Sequence, residues 1–254
     1  MLFHNRVRAG SFGDAAERYD RSRPSYPPGL IDDLMALGPH SVLDVGCGTG
    51  KAGVLLRDRG CAVLGVEADA RMAAVAASRG LEMEVSPFED WDPRGRRYDL
   101  VVSAQAWHWI DPVAGAAKAA EVLVPGGHLA LAWNEGQYED EDALTALRGV
   151  YEQHAPQLHA DAISTRRDKM DDRVDLDAIA TTPGFGATEI RTYEWLQPYT
   201  TDQWIDMLGT HSDHATLPEA QRDALLEAVD RAVDGMGGTL LLRYRTALLL
   251  TPRI

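Results

Sequence analysis

The chain has 254 residues, 45% hydrophobic and 25% charged, the balance of an ordinary globular protein. Against 25 Lys plus Arg stand 39 Asp plus Glu, a formal charge of −14 that disfavours sequence-independent binding to nucleic acid or to an anionic membrane surface. Cys47 and Cys61 lack metal-ligand spacing, and no apolar run reaches the roughly 18 residues needed to span a bilayer, so a reduced, cytoplasmic setting is expected.

In chain order, residues 1–40 read as an N-terminal cap segment. Residues 41–46 form a short apolar strand ending in glycine, followed by a helix near 50–59. A second strand at 61–66, an Ala-rich helix at 69–79 and a third strand at 81–85 come next. Residues 98–104 make a fourth strand. Residues 111–123 make a helix with Asp111 as N-cap and Pro112 at its first position. Gly126-Gly127 then leads into a fifth strand at 128–133. This alternation predicts a parallel sheet covered by helices on both faces. Helices are expected at 139–154, 170–181, 201–208 and 217–233, and strands at 185–197 and 239–250. The whole reads as one domain: a cofactor-binding core at 41–134, a helical lid at 135–185, and a sheet-completing part at 186–254.

The most informative segment is Val42-Leu43-Asp44-Val45-Gly46-Cys47-Gly48-Thr49-Gly50-Lys51. A strand runs into a Gly-rich turn and then a helix, placing the turn at the carboxyl edge of the sheet, where ligands bind. A dinucleotide site reads G-x-G-x-x-G and offers a helix N-terminus to a pyrophosphate. Here the pattern is G-x-G-x-G, preceded by Asp44. That acid would repel a pyrophosphate but suits a cationic ligand group. Glu67 ends the second strand, where a carboxylate can accept hydrogen bonds from both ribose hydroxyls. Phe88-Glu89 follows the third strand, and Ser103-Ala104-Gln105-Ala106-Trp107-His108-Trp109 closes the fourth.

Asp44 to Gly50 resembles motif I of the class I S-adenosylmethionine-dependent methyltransferases. Glu67, Phe88-Glu89, Tyr98-Asp99-Leu100-Val101-Val102 and Leu123-Val124-Pro125-Gly126-Gly127 follow in that family's order. The pattern Phe12, Ala16, Tyr19-Asp20, Arg23-Pro24 and Tyr26-Pro27, with Ala106-Trp107-His108-Trp109, is similar to the trans-aconitate methyltransferase-like subgroup, near the UbiE-type C-methyltransferases. The resemblance implies an α/β, Rossmann-like fold: a seven-stranded, mostly parallel sheet of order 3-2-1-4-5-7-6, its last strand antiparallel, with helices on both faces.

The resemblance also implies residue roles. Asp44 with Gly46, Cys47, Gly48, Thr49 and Gly50 would hold the methionine part of S-adenosyl-L-methionine. Glu67 and Ala68 would hold the ribose, and Phe88 with Glu89 the adenine. Ser103 would offer a backbone carbonyl to the methionine ammonium, Gln105 would line the pocket beside the sulfonium, and Tyr19 with Arg23 would close over cofactor and substrate. Many relatives carry an Asp where this chain has Ser86-Pro87.

The activity implied is O- or C-methylation of a small molecule by a monomer or homodimer, with no nucleic-acid or membrane partner. His108 is the candidate base, with Tyr19 beside it as a catalytic candidate, because an unperturbed imidazole titrates near ~6.5. Tyr19, Trp107, Trp109 and Trp133 are candidates to face a sulfonium charge. Trp107, His108, Trp133, Trp204 and His211 are expected to line the acceptor pocket. His211, Asp213 and His214 are of ligand type, but no metal site is expected. Two rivals remain open: a protein that binds the cofactor without catalysis, and a nicotinamide-dependent oxidoreductase. The glycine spacing and Asp44 count against the oxidoreductase.

Overall fold

The computed structural model describes residues 16–158, 174–211 and 213–254. The elements are α1 (Ala16–Ser22), α2 (Pro28–Ala36), β1 (Ser41–Val45), α3 (Lys51–Arg57), β2 (Ala62–Glu67), α4 (Ala70–Ser78), β3 (Glu82–Val85) and β4 (Tyr98–Ala104). A 3₁₀ turn at Trp107–Trp109 precedes α5 (Pro112–Val122), β5 (Leu123–Tyr138), α6 (Glu141–His154), α7 (Leu176–Thr181) and β6 (Glu189–Thr200). The chain ends with α8 (Thr201–Leu208), a 3₁₀ turn at His214–Thr216, α9 (Glu219–Gly235) and β7 (Thr239–Pro252).

The strands form a seven-stranded sheet in the order β3-β2-β1-β4-β5-β7-β6. The first five pair in parallel, and β7 is antiparallel to both β5 and β6, as the resemblance implied. Strands buried on both faces need apolar residues at consecutive positions, which explains the run at 63–66 and Val42, Leu43 and Val45 around Asp44. Leu43, Val45, Leu64, Val66, Val101 and Leu131 pack on one face with Ala116 and Ala119 of α5. Val42, Val63, Leu100, Val102 and Ala132 pack on the other with Leu30 and Leu34 of α2 and Val54 and Leu56 of α3. A third core joins α6, α8 and α9 to the far end of β5 and β7 through Leu147, Trp204, Met207, Leu225, Val229 and Leu242.

Local chemistry sets the helix starts. Asp111 accepts from the amides of Val113 and Ala114, with Pro112 opening α5. Thr200 and Gln203 make a reciprocal capping box on α8.

Two expectations change. The fifth strand, expected at 128–133, runs to Tyr138 because its antiparallel ladder with β7 continues from His128 to Tyr138. The polar residues Asn134 and Glu135 disguise that extension. The region expected as a lid therefore starts inside the sheet. Its helix α6 packs on α9, and α7 packs on α5. Residues 159–173, including the start of the helix expected at 170–181, lie outside the described residues, as does Phe12 of the N-terminal pattern.

Candidate functional site

The glycine turn is sewn to the neighbouring strand. The amides of Gly46 and Cys47 both donate to the Val66 carbonyl, at 2.8 and 3.3 Å. Gly46 has φ +62°, and a Cβ there would lie 2.5 Å from the Ala106 Cβ, so a side chain would drive the β1 and β4 turns apart. Thr49 is buried within the turn, and the buried Cys47 thiol lies 3.8 Å from the Met83 sulfur.

Asp44, one residue before the strand ends, is buried, and neither carboxylate oxygen has a hydrogen-bond partner. Burial is the main cause that pushes its pKa up to about 7; the Gly53 amide on α3 offsets this in part, and the Glu67 charge adds to it. A buried carboxyl with no well-aligned hydrogen bond, only the partial offset of the Gly53 amide, is costly, so this group suits a ligand that brings donors with it. Glu67 accepts from the amides of Gly48 and Asp69, each at 2.9 Å. Burial raises its pKa despite these amides. Ala68 is exposed beside it. Two carboxylates at the turn oppose a diphosphate and favour the ammonium and ribose hydroxyls of an amino-acid-bearing adenosine.

The segments following β3 and ending β4 are closely packed. Phe88 is buried, its ring 6.2 Å from Trp91 and 6.3 Å from Trp107. Glu89 accepts from the Asp111 amide at 2.9 Å and so braces the start of α5. Ser103 is fully buried within β4, its hydroxyl without a hydrogen-bond partner. Gln105 follows with φ +62°, a left-handed conformation unusual for a residue with a Cβ. Its backbone amide donates to Ala132, and its side chain donates to the Asn134 carbonyl at 3.0 Å.

Trp107 belongs to the core beneath α5, its ring 6.3 Å from Phe88. Trp204 is likewise a core residue, with the Tyr138 and Tyr199 rings each 5.5 Å away. Trp133 is buried, yet its indole N–H donates to His108 Nδ1 at 3.3 Å. The Trp109 ring lies 5.0 Å from His108.

The N-terminal segment lies across the turn. Lys51 Nζ donates to the Asp20 carbonyl at 2.6 Å, and Arg79 holds the Asp20 carboxylate at 2.7 Å. Arg23 stacks over Tyr19 at 5.2 Å and grips Thr210 beyond α8. Burial pushes the Tyr26 phenol pKa well above its ordinary value, with the Tyr19 and Asp44 charges adding to the shift. His211 Nε2 is buried without a hydrogen-bond partner. Burial, helped by the Arg23 charge, holds its imidazole pKa well below the ordinary value, so the ring is neutral. The donor atoms of His211, Asp213 and His214 lie within 4.8 Å of one another. Both ring nitrogens of His214 are engaged, one by Asp213 and one by the Tyr151 hydroxyl, each at 2.8 Å.

The structure thus gathers Asp44, the glycine turn, Glu67 and Gln105 at one edge of the sheet, with Tyr19 and Arg23 on the segment above. Lys51, Tyr26, Asn134 and Thr210 also belong to this ensemble but were not among the sequence candidates. Tyr26 and Lys51 lie within motifs that the sequence already marked. Asn134 and Thr210 carry no such signal.

Comparison with known proteins agrees. Residues 42–127 match a family model described as a methyltransferase domain. The chain is 34% identical to an uncharacterized methyltransferase of Mycobacterium tuberculosis over 90% of this chain and 88% of that protein. It is 30% identical to trans-aconitate 2-methyltransferase of the same species over 44% of this chain and 42% of that enzyme. A solved structure, a putative type II methyltransferase from Anaeromyxobacter dehalogenans, superposes with a TM-score of 0.62 at 23% identity, covering 91% of this chain and 97% of the other. The glycine turn with its two acids, the sheet order and these relatives together establish that the chain belongs to the class I S-adenosylmethionine-dependent methyltransferases.

Proposed function

We propose that this methyltransferase acts on a small molecule, methylating an oxygen or carbon atom. The observation that carries this reading is the cover on the crevice. Arg23 reaches from the N-terminal segment to Thr210 with its guanidinium over the Tyr19 ring, while Lys51 of the helix after the turn holds Asp20 of the same segment. A cover tied to the body of the protein suits an acceptor small enough to be enclosed, and the charge of −14 opposes a polynucleotide.

S-adenosyl-L-methionine supplies a methyl group on a sulfonium that carries its own leaving group. The protein's task is then placement and exclusion of water. In this reading Asp44 and the amides of the turn 46–50 hold the amino-acid end. Glu67 and Ala68 hold the ribose, and Phe88 and Glu89 border the adenine. Ser103 and Gln105 form the wall near the reacting centre. His108 is the acceptor's base only when its Nδ1 lone pair is released from Trp133; otherwise that bond keeps its proton on Nε2, where it can only donate.

Two experiments test the proposal. Calorimetric titration with S-adenosylhomocysteine and, separately, NADH should give binding with the first alone. A screen of acids, phenols and polyketide-like compounds with isotope-labelled cofactor should then show a labelled methyl mass shift in a small molecule. A shift confined to RNA, DNA or protein would overturn the small-molecule assignment.

A further inference from the structure

Asn134, buried on the extended part of β5, is the hub of a hydrogen-bond chain joining four distant parts of the sequence. The chain starts at Trp195 on β6, whose indole N–H has donor capacity only. It donates to the Thr246 hydroxyl at 2.9 Å. Thr246 is fully buried, and its one proton goes to Asn134 Oδ1 at 2.7 Å. That fixes the amide: the Asn134 NH₂ group faces the Ser25 carbonyl, to which it donates at 2.8 Å. The Asn134 backbone carbonyl receives the Gln105 side chain at 3.0 Å, next to the left-handed Gln105 backbone.

We propose that Asn134 is a positioning residue. It latches the segment over the crevice through Ser25 and holds the Gln105 turn, and the donor-only Trp195 sets its orientation through Thr246. The proposal rests on the reading that the crevice between these two parts receives the cofactor. Without the Thr246 proton, Asn134 Oδ1 loses its buried donor, and the amide is left with the Ser25 carbonyl alone to hold its orientation. An aspartate at 134 would still accept from Thr246 but would set a carboxylate oxygen against the Ser25 carbonyl.

The test compares wild type with Thr246→Val, which keeps the shape without the hydroxyl, Thr246→Ser, which restores it, and Asn134→Asp. Hydrogen–deuterium exchange of the peptide covering residues 19–27 is followed in ligand-free protein, and S-adenosylhomocysteine affinity is measured by calorimetry. Thr246→Val and Asn134→Asp should each speed exchange in that peptide and weaken the ligand about tenfold, while Thr246→Ser stays within about twofold of wild type. Unchanged exchange and affinity in Thr246→Val would overturn the proposal, as would equal damage in Thr246→Ser. If wild type bound no S-adenosylhomocysteine, the cofactor reading would fall, and the exchange comparison would still decide the latch.

Discussion

Arg23 holds Thr210 by two hydrogen bonds, Nε to the hydroxyl and Nη2 to the carbonyl, both at 2.9 Å. The planar guanidinium matches this two-point grip, which lysine cannot reproduce. Arg23→Lys should therefore behave much like Arg23→Ala: S-adenosylhomocysteine affinity falls by about tenfold or more, the scale of one lost charge-assisted hydrogen bond. Calorimetry checks this. Wild-type affinity in both variants would assign Arg23 no part in closing the crevice.

Asp44 predicts opposite pH trends for stability and binding. Burial raises its folded pKa to about 7, so between the unfolded value near 3.8 and that point the folded protein holds the extra proton. Its contribution to ligand-free stability is complete below about 3.8 and is lost as pH rises through 7. The ionised form is the better partner for an ammonium, so S-adenosylhomocysteine affinity should rise through the same window. Asp44→Asn should flatten both trends, raising the ligand-free melting temperature at pH 8 while weakening the ligand. Melting curves and titrations at pH 5.5, 7 and 8.5 decide the matter, and an Asp44→Asn variant with wild-type affinity at pH 8.5 would refute the assignment.

Gly46→Ala meets two penalties: a left-handed backbone and a Cβ 2.5 Å from that of Ala106. Together they should cost about 2 kcal/mol or more, a fall in melting temperature of about 4–8 °C. Ligand binding should be lost as the β1 and β4 turns separate. Gly149, where an added Cβ meets nothing within 4 Å, gives the control, since Gly149→Ala should leave both quantities unchanged or slightly improved.

His108 and Trp133 form a pair whose separation reveals the base. With an acceptor in hand, His108→Ala should lower turnover about 10²–10⁴-fold while leaving S-adenosylhomocysteine affinity intact. Trp133→Phe removes the donor on His108 Nδ1, which favours the neutral ring, and should move the acidic limb of the pH–rate profile to higher pH. An unchanged profile in both variants would leave the chemistry to placement alone.

Much of this architecture was legible in the sequence because its signals are local. The apolar run at 63–66 and Val42, Leu43 and Val45 around Asp44 needed only the burial of both faces, and Asp111-Pro112 announces a helix by its own bonding. The glycine turn and its acids were equally local. The hidden parts depend on pairing across the chain. Asn134 looks like a polar residue ending a strand until the ladder with β7 sets it opposite Thr246, 112 residues away. The burial of Trp107 and Trp204 was hidden for a related reason. An aromatic near a site motif looks exposed, whereas Phe88 and Tyr199, which only the fold brings close, pack against them.

The grip of Arg23 on Thr210 also orders events in time. Synthesis proceeds from the amino end, and the two partners are 187 residues apart. While the chain is still on the ribosome, Lys51 and Arg79 can already hold Asp20, but Arg23 has no partner for its two-point grip until residue 210 has been made. The Arg23 end of the cover is thus the last part of it to be tied down, after the strands beneath it have been synthesised.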